Sequence, residues 1–164
     1  MNAPNFYIDI FLQPGEFYFG DRDTRIRTIL GSCVAITIWH PQKLIGGMCH
    51  YMLPERTRRT TSLELDGRFA ADVIQLFLQE IKKSFTKPSE YHAKIFGGGN
   101  QFPDQDKRVF SVPDRNVLAG KELLAKHGFQ IMNEHMGGNG RRNIMFDCWS
   151  GDVWVKHVEK MITP

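Results

Sequence analysis

The run Val34-Ala35-Ile36-Thr37-Ile38 constrains this chain most, because its strict two-residue alternation argues for a half-buried β-strand. A second extended stretch, Leu44 to Leu53, follows it. Between them His40-Pro41-Gln42-Lys43 has the chemistry of a four-residue hairpin loop. With Trp39 paired to Leu44, Cys33 falls directly across from His50, where opposed Cβ atoms stand about 4.5 to 5.5 Å apart. A slip of one residue would bring Cys49 opposite Cys33 instead. Alternation also sends Cys49 and His50 to opposite faces, which favours a Cys33 and His50 pair over a metal cluster of Cys33, Cys49 and His50.

That pair has the ingredients of a nucleophilic site. Gly31 and Ser32 precede Cys33, and small residues there let the backbone approach a substrate and leave amides to face a developing oxyanion. An imidazolium beside the thiol lowers the cysteine pKa below its free value of about 8.5. Cys49 and Cys148 read as small buried hydrophobes. His40, His92, His127, His135 and His157 lack partners at characteristic spacing and read as surface or structural residues. A structural zinc site needs about four ligands, and the candidates are scattered.

The rest of the chain is a series of short runs. Phe6 to Leu12, Phe17 to Phe19 and Arg25 to Leu30 are strand-length and are punctuated by Pro14-Gly15 and Gly20-Asp21. Glu55 to Leu65 is polar and basic, a surface loop beside the site in which Arg58 and Arg59 are candidate contact residues. Asp66 is expected to cap a helix reaching Ser84, with Phe69, Val73, Leu76, Phe77 and Ile81 inward. A strand over His92 to Phe96 runs into Gly97-Gly98-Gly99. A second helix is expected from Asp114 to Gly128, with Val117, Leu118, Leu124 and Ala125 inward. Strands over Phe129 to Glu134, Asn143 to Trp149 and Asp152 to Val158 complete the pattern. Neither the Gly97 run nor Gly137-Gly138-Asn139-Gly140-Arg141 has a phosphate-loop ending, so both read as tight turns. Hairpins outnumber crossovers, giving an α+β fold of mostly antiparallel sheets with two main helices packed on one side.

Composition narrows the function. At 164 residues and 41% hydrophobic content, one domain spanning 1–164 is expected. The net charge of +3 is spread among both signs, and the arginines at 56, 58, 59, 141 and 142 lack interleaved aromatics, which argues against nucleic acid. No apolar run approaches the roughly 18 residues of a membrane span, so direct membrane insertion is not expected. The first residues lack a basic segment with a hydrophobic signal core. Three cysteines without an even framework fit a reducing, cytoplasmic setting.

Several segments taken in order resemble a known family. They are Pro14-Gly15-Glu16, Thr28 to Ala35, Gly46-x3-His50-x-Met52-Leu53-Pro54, Ala93 to Gly98, and Gly137-Gly138-x2-Arg141. The chain resembles the chemotaxis protein CheD family, the chemoreceptor glutamine deamidases, from about residue 13 to about residue 156. The resemblance implies a layered α/β/β sandwich and a cytoplasmic enzyme that hydrolyses glutamine side-chain amides of methyl-accepting receptors to glutamate, releasing ammonia. It places the catalytic residues at Cys33, His50 and Thr28, with no metal or organic cofactor. At His135 the sequence departs from the acidic residue more usual there. Two alternatives stay open: a regulatory binding partner of a CheC-type phosphatase, and a cysteine peptidase or transglutaminase sharing the thioester chemistry.

Overall fold

A computed structural model describes residues 2–57, 64–102 and 111–159. The candidate contact residues Arg58 and Arg59 therefore lie outside the described residues. Nine strands, β1 (Ile8–Leu12), β2 (Phe17–Gly20), β3 (Thr24–Leu30), β4 (Val34–His40), β5 (Ile45–Cys49), β6 (His92–Gly97), β7 (Gln130–Met136), β8 (Arg141–Asp147) and β9 (Val153–Val158), form two sheets among the described residues. One sheet runs β1-β3-β8-β9 and the other β2-β5-β4-β6-β7. The β1–β3 and β6–β7 pairings are parallel and the others antiparallel, so the sheets are mixed but mostly antiparallel. Helices α1 (Ala70–Lys83) and α2 (Val112–Lys126) cover one face of the five-stranded sheet. The four-stranded sheet covers its other face. The α+β fold read from the strand and helix pattern, and the layered α/β/β sandwich that the family resemblance implies, are observed.

The middle layer is apolar on both sides, which corrects the expectation of a half-buried strand. Val34, Ile36 and Ile38 pack toward Val73, Phe77 and Leu124 of the helices. Ala35 faces Leu12, Leu30 and Phe96 in the seam between the sheets. Small and hydroxylic residues at alternate positions of β4 fit that seam, because two stacked sheets stand only about 10 Å apart.

Both helices begin away from the expected caps. Asp66 caps nothing in α1: the N-cap is Phe69, and the Asp66 carboxylate is held by Arg68 at 2.6 Å. Helix α2 begins two residues earlier than expected because Ser111 and Asp114 close a capping box. It stops before Gly128, whose φ of +82° suits a residue without a Cβ. Its buried residues are Pro113, Asn116, Gly120 and Leu124. Leu118 and Ala125, expected inward, are exposed, because the Tyr51 hydroxyl occupies the space a side chain at Gly120 would fill and turns that face of the helix inward.

Candidate active site

The hairpin forms with a register different from the expected one. Trp39 pairs with Gly46 rather than Leu44, and the pairing continues through Thr37↔Met48 to the bridge Val34↔Tyr51. The displacement is two residues. Side chains on a strand alternate with period two, so His50 stays on the face of Cys33 and lies diagonal to it instead of directly opposite. Diagonal neighbours remain within reach of long side chains. Cys49 points the other way into the helix-side core, so no cluster of Cys33, Cys49 and His50 forms.

His50 continues the line of β5 and is fixed by backbone bonds to the Pro14-Gly15-Glu16 turn. The Gly15 amide donates to the His50 carbonyl at 2.8 Å, and the His50 amide donates to the Glu16 carbonyl at 3.2 Å. Gly15 has φ of +86°, and a Cβ there would press on the Arg68 side chain. The glycine of this motif thus serves the imidazole.

Thr28 approaches from the other sheet. Its pairing with Leu12 in the parallel β1–β3 ladder brings the Leu12 carbonyl within 2.8 Å of the Thr28 hydroxyl, which donates to it. A hydroxyl has one proton. With that proton on Leu12, Oγ1 accepts from His50 Nδ1–H at 2.7 Å. The tautomer follows: Nδ1 carries the hydrogen, and Nε2 is left with its lone pair. Nε2 is buried and has no partner among the described residues.

The electrostatics revise the expected thiolate–imidazolium pair. Burial pulls the His50 pKa down from 6.5 to about 4. Burial also pushes the Cys33 thiol up from its usual value, against a smaller lowering by the Ser32 hydroxyl. Both shifts disfavour charge, because desolvation penalises whichever form is ionised. At neutral pH Cys33 is therefore a thiol and His50 a neutral imidazole whose Nε2 has no partner among the described residues.

The loop before β4 is anchored through its carbonyls. Gly31 O accepts from the Gly99 amide at 3.1 Å, and Cys33 O from the Gly98 amide at 2.9 Å. Ser32 O accepts from Asn116 Nδ2 at 3.3 Å. By contrast, the Ser32 and Cys33 amides have no acceptor among the described residues. A Cβ on Gly97 would strike Cys33 O. The Gly97 run, read from the sequence as a tight turn, is therefore also the brace of the Cys33 loop. Sequence reasoning passed over Asn116 altogether. Its only signal was an amide on a helix face that otherwise turns toward the core.

Other candidates fall outside the site. Cys49 and Cys148 are buried as expected, and burial raises both thiols to about 12. His135 Nδ1 accepts from Arg142 Nε at 2.9 Å, so the residue that departs from the family pattern is the side-chain partner of a buried arginine. His40 is also buried, with its Nδ1 accepting from the Lys43 amide.

A thiol, an imidazole oriented by a threonine and a loop with two open amides, set at the seam of an α/β/β sandwich, can carry out acyl transfer through a thioester. The chain belongs to the CheD family. The family described as CheD chemotactic sensory transduction matches residues 52–157. That match begins just past His50, while relatives align across nearly the whole chain. A protein of Dechloromonas aromatica named probable chemoreceptor glutamine deamidase CheD 3 is 52% identical over 93% of this chain and 89% of its own length. One of Pseudomonas syringae pv. tomato, named probable chemoreceptor glutamine deamidase CheD, is 46% identical over 96% of this chain and 94% of its own. A Leptospira interrogans relative, named probable chemoreceptor glutamine deamidase CheD 1, is 41% identical over 95% and 96%. Among solved structures, that of the Bacillus licheniformis hypothetical protein YfiH is 12% identical, covers 73% of this chain and 49% of that one, and has a TM-score of 0.45. Among the described residues, no helix is long and apolar enough to cross a membrane.

Proposed function

We propose that this chain is a single-domain protein-glutamine deamidase that converts selected glutamine side chains in the cytoplasmic domains of chemoreceptors to glutamate and ammonia. Cys33 is the nucleophile, His50 the base and acid, and Thr28 the residue that orients the imidazole. The observation that carries this reading is His50 itself: Nδ1 is capped by Thr28, and a bare Nε2 sits on the strand face of Cys33. A purely structural histidine has no need of an unpartnered buried nitrogen. Three free cysteines fit the reducing cytoplasm.

In the first step His50 Nε2 takes the Cys33 proton as Sγ bonds to the carboxamide carbon, and the oxyanion forms against the Ser32 and Cys33 amides. Starting from a neutral pair, the thiolate is generated only as it attacks. The imidazolium then gives its proton to the departing nitrogen, the C–N bond breaks and ammonia leaves behind a thioester. A water attacks the thioester carbon, delivering a proton to His50. The C–S bond breaks, the sulfur recovers its proton from the imidazolium, and the product acid ionises to glutamate. Each turnover places a negative charge on a receptor helix, where like-charge pairs shift stability by about 0.2 to 0.5 kcal/mol each.

The test is peptide mass spectrometry of a receptor cytoplasmic fragment incubated with wild-type protein, Cys33→Ala or His50→Ala. Conversion of glutamine to glutamate by wild type alone is expected. No conversion by folded wild type would favour a regulatory partner of a CheC-type phosphatase, and incorporation of an added amine would point to a transglutaminase.

A further inference from the structure

We infer that Asn116 is a positioning residue of the oxyanion site, acting through the Ser32–Cys33 peptide; the inference rests on the deamidase reading above. Asn116 is fully buried on α2. Its Nδ2 donates to Ser32 O at 3.3 Å and to Met52 O at 2.8 Å. Both partners are carbonyls, which accept only, so the NH2 end of the amide must face them and the orientation of the side chain is fixed.

The consequence lies one bond away. Ser32 C=O and Cys33 N–H belong to one trans peptide unit and point in opposite directions. Holding the carbonyl against α2 turns the Cys33 amide away from the helix, where it has no acceptor among the described residues. The preceding unit behaves alike: Gly31 O is held by the Gly99 amide, which turns the Ser32 amide outward. Two adjacent amides are thereby aimed by anchors on their carbonyls, one supplied by backbone and one by the Asn116 side chain.

Two further contacts make α2 the rigid support for this arrangement. Val117, next in the helix, fills the space beside Gly98, whose amide holds Cys33 O. The Tyr51 hydroxyl donates to Asn116 O at 2.5 Å and ties the helix to the chain just past His50. Asn116 Oδ1, meanwhile, is buried without a partner among the described residues. An uncompensated acceptor of this kind destabilises a fold, and its presence fits a side chain retained for what its other end does.

The experiment compares wild type, Asn116→Leu and Asn116→Asp on a receptor cytoplasmic fragment, following ammonia release and, separately, alkylation of Cys33 by iodoacetamide. Alkylation forms no oxyanion and reads only the thiol and its base. Asn116→Leu removes both donors at similar volume. The expected result is a kcat lower by about 100-fold, with KM and the alkylation rate within about threefold of wild type. In Asn116→Asp the carboxylate repels the Ser32 and Met52 carbonyls, while its protonated form donates to one of them. Its kcat should therefore rise, relative to wild type, as pH falls from 8 to 6. Retention of wild-type kcat by Asn116→Leu overturns the inference. So does a parallel loss of kcat and alkylation in both variants, or an Asn116→Asp profile that tracks wild type. A wild-type protein that releases no ammonia defeats the deamidase reading instead, which keeps the two failures distinct.

Discussion

Replacing His50 by Gln tests the neutral imidazole without reference to any substrate. The glutamine amide can still donate toward Thr28 Oγ1 but has nothing to titrate. In wild type, burial lowers the His50 pKa from 6.5 to about 4. Between those values the unfolded chain binds a proton that the folded chain refuses. The stabilising contribution is therefore fully present above pH 6.5 and is lost as pH falls through the window toward 4. At roughly 1.4 kcal/mol per pKa unit the total is about 3 kcal/mol, of which about 2 kcal/mol is lost between pH 7 and pH 4.5. Other titrating groups are common to both proteins and cancel in the difference. Urea unfolding followed by tryptophan fluorescence should show the wild-type advantage over His50→Gln shrinking by about that amount, a relative midpoint shift of about 1 M for a typical urea slope. A gap that stays constant from pH 7 to pH 4.5 would refute the argument, since it would mean that folding leaves the His50 proton equilibrium unchanged. The kinetic counterpart is an acid limb of kcat/KM lying below the ordinary histidine range, because in the proposed mechanism His50 must be neutral to accept the Cys33 proton.

Thr28→Val should leave Leu12 O without its donor and Nδ1 without its acceptor, costing about 1 to 3 kcal/mol in urea unfolding and lowering kcat by at least about tenfold, whereas Thr28→Ser, which keeps the hydroxyl, should retain most of both. Gly97→Ala drives a methyl into Cys33 O at a φ of +114° and should lose more than about 2 kcal/mol together with activity. Gly128→Ala meets open space at a φ of +82° and should lose only about 1 kcal/mol, with ammonia release unchanged. Equal effects of the two glycine variants on activity would dismiss the brace assigned to Gly97.

The strands were legible because alternation and turn residues mark them, and the hairpin's face was legible because the side-chain period is two. Its register was not. The observed turn extends through Leu44, which has φ of +54° and whose amide bonds back to His40 O, so the second strand begins at Ile45. A leucine in the left-handed region is unfavourable on its own, and the surrounding sheet imposes it. The start of α1 was misplaced because Asp66 looks like a cap while its carboxylate is occupied by Arg68. Helix α2 was read from its apolar residues, which put Leu118 and Ala125 inside. Its true inner face holds Asn116 and Gly120, which a hydrophobic pattern cannot register. Spacing put His50 on the face of Cys33, but directly opposite it rather than diagonal. The Thr28 hydroxyl was assigned only through a family resemblance, since nothing local in the sequence places Leu12 O beside it.

Burial in the seam between the two sheets keeps the His50 imidazole neutral well below neutral pH, because desolvation penalises its charged form. The seam also brings the partner, because His50 extends the five-stranded sheet while Thr28 belongs to the four-stranded one. Sheet stacking thus fixes the 2.7 Å bond that sets the tautomer. The arrangement has a cost. Of the four buried side-chain polar atoms without a partner among the described residues, two are His50 Nε2 and Asn116 Oδ1, and each such atom costs about 1 to 3 kcal/mol. Stability alone would favour apolar side chains at both places. In the proposed mechanism these two belong to residues whose opposite ends work: His50 Nδ1 holds the bond to Thr28 that sets the tautomer, and Asn116 Nδ2 anchors the loop that carries Cys33.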